Sequence, residues 1–106
     1  MDWADSYVKL LKAGSVVTFR PKGNSMSGRI ESKQLVTVTP LALLDPIAVG
    51  DIVLCKVHGK QYLHLVSALE GTTGHLLRVQ ISNNKGYVNG WTRRDNIYGL
   101  LTGVTP

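Results

Sequence analysis

Apolar residues recur at intervals of three to four positions near the start of the chain, in the segment MDWADSYVKLLKAG. This interval matches the turn of an α-helix. It predicts a helix over residues 2–13 whose apolar face carries Trp3, Tyr7, Leu10 and Leu11. Asp2 stands at the N-cap position with Asp5 three residues later, and Gly14 follows where a left-handed residue commonly ends a helix.

From residue 15 onward the pattern changes to short alternating or β-branched runs separated by turn residues. Such runs are typical of β-strands. They are SVVTFRP, QLVTVTPL, IVLCKV, KQYLHLVSAL, HLLRVQI, YVNGW and NIYGLLTGV. The third and fourth flank the turn His58–Gly59 and predict a hairpin. Six to eight strands predict a mainly β protein, a small coiled or barrel-like antiparallel β-domain over about residues 15–105 behind one N-terminal helix. We expect the 106 residues to form one domain.

The composition is that of an ordinary globular protein, with 43% apolar and 18% charged residues. The single cysteine, Cys55, excludes an internal disulfide, and we expect a small buried hydrophobe there rather than a reactive thiol. The histidines show no metal-ligand spacing, so we expect neither a metal site nor a cofactor. No apolar run can span a membrane, and the N-terminus has acids where a signal peptide needs bases. We therefore expect a cytoplasmic protein without membrane insertion.

Basic residues outnumber acidic ones by 12 to 7, a net charge of +5. Four of them lie within or beside the segment KGNSMSGRI: Arg20, Lys22, Arg29 and Lys33. Arg93 and Arg94 form a second group behind Trp91. Such charges are usually a solvated rim, but a field of this size is compatible with nucleic-acid binding.

The segment KGNSMSGRI, residues 22–30, is the strongest candidate for chemistry. Ser25 follows a glycine and an asparagine in a tight turn, but a serine becomes a nucleophile only when a base takes its proton. Its backbone N–H can then supply one donor to the oxyanion. The G-x-S-x-G elbow of α/β-hydrolases is not met, because Ser27 is the fifth residue of GNSMS. These nine residues alone favour an ordinary turn.

The order of several segments resembles the peptidase domain shared by LexA/UmuD-type self-cleaving proteins and type I signal peptidases. FRPKGNSM is similar to the strand and turn of the nucleophile, ESKQLVTV to the next strand, and VGDIVLCKV to the G-D-x-V segment. KQYLHLVSAL is similar to the strand of the base, and NIYGLLTGV to the closing I-x-G strand. The resemblance covers nearly the whole chain after residue 15, and it implies a serine peptidase-like β-ribbon fold.

Transferred residue by residue, the resemblance implies Ser25 as the nucleophile and His64 as the base, where the family usually has a lysine. The eukaryotic and archaeal ER-type signal peptidases are similar in pairing serine with histidine. Imidazole is largely neutral near pH 7, so it needs less pKa adjustment than lysine.

The turn SNNKG matches a G-D-N turn of the signal peptidases and implies that Asn83 orients His64, with Asp51 and Asp95 as other candidates. An asparagine can orient an imidazole but cannot offset its positive charge as a carboxylate does. The neighbours of the serine that would hold the oxyanion or the substrate are Gly23, Asn24 and Met26.

Three interpretations remain open. The first is a serine endopeptidase whose substrate lies as an extended strand near residues 15–24 or 35–39, with small residues at the cleaved side as in the family. Self-cleavage at Ala13–Gly14 is disfavoured, because only 11 residues (25 minus 14) lead from Gly14 to Ser25. The second is a catalytically silent LexA/UmuD-like regulatory or protein-binding module, encoded by a phage or mobile element and paired as a homodimer. The third is a small basic nucleic-acid-binding β-barrel.

Overall fold

A computed structural model describes residues 2–72 and 74–106. It contains one α-helix, α1, over Asp5–Lys12. The helix begins three residues (5 minus 2) later than predicted, and the predicted N-cap at Asp2 is wrong, because the N-cap is Ala4. Asp2 contacts the first turn instead, where its backbone N–H donates to the Asp5 carboxylate (3.0 Å). At the other end Gly14 has a φ of +90°, and its N–H donates to the carbonyl of Leu11 (3.0 Å). The predicted glycine C-cap is therefore confirmed.

Seven strands follow the helix. They are β1 (Val17–Phe19), β2 (Leu35–Pro40), β3 (Ile52–Val57), β4 (Lys60–Glu70), β5 (Arg78–Ser82), β6 (Val88–Arg93) and β7 (Ile97–Thr105). They form one antiparallel sheet in the order β1-β2-β7-β3-β4-β5-β6, so the last strand lies between β2 and β3. The structure confirms a mainly β protein with six to eight strands behind one N-terminal helix.

The sequence predicted a strand over residues 75–81, and this strand begins later in the structure. Gly74–Leu76 form a short 3-10 helix, and β5 starts at Arg78. The N–H of Leu77 donates to the carbonyl of Gly74 (3.1 Å), so the backbone is still turning there. Regular pairing with β4 begins only where Arg78 stands opposite Glu70.

Strand β3 is buried on both faces of the sheet, and its alternating side chains enter two different cores. Ile52 and Leu54 belong to the core that also contains the buried side of α1. Val53 and Cys55 belong to the second core, with residues of β4, β5 and β7. Cys55 is fully buried, as expected, and burial raises the pKa of its thiol far above the usual range, so the reactive thiolate is disfavoured.

The sequence predicted that Arg93 and Arg94 form a second exposed basic patch. This prediction is wrong for Arg94. Arg94 is only 1% exposed, whereas Arg93 is exposed and pairs with Asp95 (3.1 Å). The Arg94 guanidinium donates to three backbone carbonyls, those of Ala42 (2.8 Å), Asp45 (3.0 Å) and Ile97 (3.2 Å). It therefore holds the connection between β2 and β3 and is not available to a nucleic acid.

The sequence predicted two exposed strand edges that could receive a substrate, near residues 15–24 and 35–39. The second of these predictions is wrong. Strand β2, which includes residues 35–39, pairs with β1 on one side and β7 on the other. Strand β1, within residues 15–24, is at the edge of the sheet and keeps an open side. In the described part of the chain, no helix has the length and apolar character needed to cross a membrane.

Candidate active site

Ser25 lies in a tight turn within the connection between β1 and β2. The two ends of this connection meet where the N–H of Lys33 donates to the carbonyl of Pro21 (2.7 Å). Inside it, the N–H of Ser27 donates to the carbonyl of Asn24 (3.1 Å), which closes a bend around Ser25. The serine is exposed, so its hydroxyl is accessible from solvent.

Asn84, in the turn between β5 and β6, ties this connection to the rest of the molecule. Its backbone N–H donates to the carbonyl of Ser25 (2.9 Å), and its side-chain amide donates to the carbonyl of Ser27 (2.8 Å). Gly28 leaves room for this contact, because its φ is +97° and a Cβ there would lie 3.1 Å from Asn84 Nδ2. Two hydrogen bonds from a residue 59 positions away (84 minus 25) therefore fix the nucleophile turn.

His64 lies in β4 and faces Ser25. Its Nε2 is 3.0 Å from Ser25 Oγ, within hydrogen-bond distance. Alternation along the strand places Leu63 in the core beneath α1 and His64 on the opposite face, where the Tyr62 ring packs 4.8 Å from the imidazole between centroids. The His64 residue is only 8% exposed. The structure thus brings together the two residues that the sequence nominated as nucleophile and base.

The other imidazole nitrogen of His64 faces Asn89 in β6, with Nδ1 2.7 Å from Asn89 Oδ1. A carboxamide oxygen only accepts hydrogen bonds, so Nδ1 must carry the proton. The neutral ring then presents an unprotonated Nε2 to the Ser25 hydroxyl, which donates. In the neutral form of His64, Nε2 is therefore the proton acceptor of the chain Ser25–His64–Asn89.

The protonation of His64 reflects two opposing effects. Burial is the larger one and lowers the pKa of His64 below its usual value, because the imidazolium loses hydration. The hydrogen bond with Asn89 acts in the opposite direction and raises this pKa. Since the neutral ring is the form that accepts a proton, the net lowering keeps the base available at neutral and mildly acidic pH.

Asn83, the residue expected to orient His64, is engaged elsewhere. Its Oδ1 accepts hydrogen bonds from the backbone N–H groups of Lys85 (2.9 Å) and Tyr87 (2.9 Å). It stabilises its own turn, while Asn89 holds the imidazole. Asparagine is uncommon inside strands, so its place in the predicted strand YVNGW is the signal that would have identified Asn89.

The two aspartates considered as alternatives also have other partners. Asp51 accepts a hydrogen bond from the N–H of Ala48 (2.8 Å), and Asp95 pairs with Arg93. The structure places neither of them at the imidazole nitrogens, which contact Ser25 and Asn89.

The three neighbours of the serine have different roles. The N–H of Gly23 donates to Ser32 Oγ (3.2 Å) and is therefore already used, although this glycine lines the cleft. The N–H groups of Asn24, Ser25 and Met26 donate to no acceptor among residues 2–72 and 74–106. The Met26 side chain is 5% exposed and lines the cleft, whereas Asn24 is exposed and contributes its carbonyl to the turn. The candidate oxyanion donors are thus the backbone amides of Asn24, Ser25 and Met26.

A cleft of about 160 Å³ opens beside the Ser25–His64 pair. One wall is the segment 21–23, which leads from β1 to the serine turn, and the other is the segment 62–64 of β4. Met26 and Ile30 close it from the core side, where both are buried. Two stretches of chain thus flank the space in front of the serine hydroxyl.

The outer edge of β4 has a gap at this cleft. Gln61 is paired there with the N-terminal segment, because its N–H donates to Asp2 Oδ2 (3.3 Å) and its carbonyl accepts from Trp3 Nε1 (3.4 Å). Leu65 is paired with β5. Backbone groups point alternately to the two sides of a strand, so the N–H and carbonyl of Leu63 point to the same edge, between these two partners. Leu63 lines the cleft, and no described residue pairs with these two groups on that edge.

His58 does not join this site. His58 lies in the hairpin turn, and its Nε2 lies 2.7 Å from the position that a Cβ on Gly90 would occupy. The side chain of His75 lies outside the described part of the structure. Within that part, no three His, Cys, Asp or Glu side chains come together as a metal site.

Comparison of the sequence with models of known protein families gives no match, and comparison with curated proteins gives none either. The functional assignment therefore depends on the geometry of Ser25, His64 and Asn89.

Proposed function

We propose that this protein is a serine endopeptidase-like hydrolase in which Ser25 attacks the carbonyl carbon of a peptide bound as an extended strand. The observation that carries the proposal is the hydrogen-bonded chain from Ser25 Oγ to His64 Nε2 (3.0 Å) and from His64 Nδ1 to Asn89 (2.7 Å). A nucleophile, a base with a free nitrogen and a group that orients the base are the three parts that such catalysis needs.

The proposed reaction has two stages. His64 Nε2 takes the Ser25 hydroxyl proton as Oγ bonds to the carbonyl carbon, and the N–H of Ser25 with a neighbouring backbone N–H of its turn holds the oxyanion. The imidazolium then gives this proton to the leaving amine, the C–N bond breaks, and the acyl group stays on Ser25. In the second stage His64 takes a proton from water, hydroxide displaces Ser25 Oγ from the acyl carbon, and the serine regains a proton.

A peptide is favoured as substrate because the cleft presents backbone hydrogen-bonding groups beside the nucleophile. The N–H and carbonyl of Leu63 lie on an open strand edge, between the partners of Gln61 and Leu65. A chain that adds to a strand edge is held by such groups whatever its sequence. This mode of binding would place a backbone carbonyl within reach of Ser25.

Labelling with a fluorophosphonate, which phosphonylates activated serines with loss of fluoride, tests the hydrolase part. We expect wild-type protein and Ser27→Ala, the matched neighbour in the same turn, to be labelled. Ser25→Ala should not be labelled, and His64→Gln should react about 100- to 10,000-fold more slowly, which is the usual contribution of a general base. If folded wild-type protein is not labelled, the proposal is wrong and a catalytically silent binding module is favoured.

Peptide cleavage needs its own test. We expect wild-type protein, but not Ser25→Ala, to produce new termini in a mixture of unstructured peptides analysed by mass spectrometry. Hydrolysis of small esters without any peptide cleavage would contradict the peptidase part of the proposal and leave the serine hydrolase part standing.

A further inference from the structure

Trp3 is a large aromatic residue that remains 50% exposed at the mouth of the candidate active site. It lines the cleft of about 160 Å³ that contains Ser25 and His64. It also lines a second cavity, of about 400 Å³, with Tyr7 and Phe19. The two cavities share Trp3 and the segment 21–22, so they adjoin one another.

The second cavity is the more aromatic of the two. The Tyr7 and Phe19 rings stack with centroids 4.4 Å apart, and the Trp3 ring lies 5.7 Å from that of Phe19. Aromatic groups of this kind contribute large apolar contact areas to binding sites. Trp3 therefore stands between a catalytic cleft and an aromatic surface that continues from it.

Trp3 is held in place by hydrogen bonds of the N-terminal segment to β4. Its indole N–H donates to the carbonyl of Gln61 (3.4 Å), and Asp2 and Asp5 accept from the backbone and side-chain amides of the same glutamine (3.3 and 2.6 Å). These contacts join residues 56 to 59 positions apart. They give the cleft a wall that exists before any ligand binds.

We infer that the substrate carries a bulky apolar side chain next to the scissile bond and that Trp3 selects for it. This inference rests on the proposed function. It differs from the family resemblance, which implies small residues at the cleaved side of the substrate. The peptide backbone would occupy the cleft beside Ser25, and the adjoining cavity of about 400 Å³, lined by Trp3, Tyr7 and Phe19, has room for a leucine- or phenylalanine-sized group. An alanine methyl would leave most of this space and the exposed indole without contacts.

The inference is tested with N-acetyl-X p-nitroanilides in which X is Ala, Leu or Phe. We expect kcat/KM to be at least about 10-fold higher for Phe than for Ala, because each added methylene in an apolar pocket contributes about 10-fold or more. Trp3→Ala should lower this Phe-to-Ala ratio by about 10-fold, and Trp3→Phe should restore part of it. Trp91→Ala, the same substitution in β6, is the matched control and should leave the ratio unchanged.

A binding experiment separates failure of this inference from failure of the proposed function. N-acetylphenylalanine amide and N-acetylalanine amide are titrated into Ser25→Ala protein, and the indole N–H resonance of Trp3 is followed by NMR, with Trp91 as internal control. Tighter binding of the phenylalanine amide without wild-type turnover would support the inference and contradict the hydrolase. Turnover that favours alanine would contradict the inference alone, and neither preference nor turnover would contradict both.

Discussion

Replacing Asn89 by aspartate changes only the carboxamide beside His64 to a carboxylate. It provides the sharpest test of the site. The carboxylate would occupy the place of the amide whose Oδ1 is 2.7 Å from His64 Nδ1. A negative charge there stabilises the imidazolium, so Asn89→Asp should raise the pKa of His64. Asn89→Ala removes a hydrogen bond that raises this pKa in the wild type, so it should lower the pKa further.

The size of the Asn89→Asp effect follows from the geometry. With charge centres about 4 Å apart and an effective dielectric constant of about 20, the attraction is about 4 kcal/mol. One pH unit corresponds to about 1.4 kcal/mol, so this attraction alone would raise the pKa by about three. Desolvation of the new carboxylate opposes it, and we expect a net rise of about one to three pH units, the range known for such pairs.

The assay is a proton NMR titration of the His64 ring, whose resonance is identified by its loss in His64→Gln. Asn83→Asp is the matched control, because Asn83 was the orienting residue expected from the sequence but binds Lys85 and Tyr87 instead. It should leave the titration midpoint of His64 nearly unchanged.

Two results would refute the reasoning. An Asn89→Asp midpoint equal to that of the wild type would show that residue 89 does not contact the imidazole. If Asn83→Asp raised the titration midpoint of His64 as much as Asn89→Asp does, the effect would not be specific to residue 89. Asn89 would then not be the residue that orients the imidazole. If the hydrolase proposal holds, the acidic limb of the pH–rate profile should move upward in Asn89→Asp together with the NMR midpoint.

Three further predictions concern stability, each measured by urea denaturation. Gly99→Ala should lower the free energy of unfolding by about 1–3 kcal/mol, because a Cβ there would lie 2.6 Å from a side chain of β2; Gly103→Ala, whose nearest contact is 3.5 Å, is the control, and equal losses would contradict the packing argument. Arg94→Met should cost about 3 kcal/mol, because three carbonyls lose their donor, and a loss no larger than that of the exposed control Arg93→Met would exclude this role. The free energy of unfolding should fall as pH decreases from about 6.5 through the lowered folded-state pKa of His64, because the unfolded chain binds the proton at a higher pH than the folded chain does. His64→Gln should flatten this pH dependence. A slope in His64→Gln identical to that of the wild type would contradict the role given to His64.

The parts of the fold that depend on neighbouring residues were predictable from the sequence. The His58–Gly59 hairpin and the Gly14 C-cap each involve residues only a few positions apart. The burial of Arg94 was not predictable, because its acceptors on Ala42 and Asp45 lie 52 and 49 positions away. No local pattern distinguishes an arginine that binds distant carbonyls from one that faces solvent.

The candidate site shows the same division. Ser25 and His64 were nominated through the order of motifs around them, whereas the orienting residue depends on how β5 and β6 pair. The register of these strands shifts between Ile81 and Ser82, so counting along the chain does not tell which asparagine faces the imidazole. That choice between Asn83 and Asn89 required the three-dimensional pairing.

The position of β7 has a consequence for when the site can form. Among the strands that the structure describes, β7 alone pairs with both the β1–β2 part and the β3–β6 part of the sheet. Ser25 follows β1, while His64 and Asn89 belong to β4 and β6 on the other side. Because β7 is also the last of the seven strands in chain order, we expect the sheet to hold the serine beside its base only after this strand has been synthesised and paired.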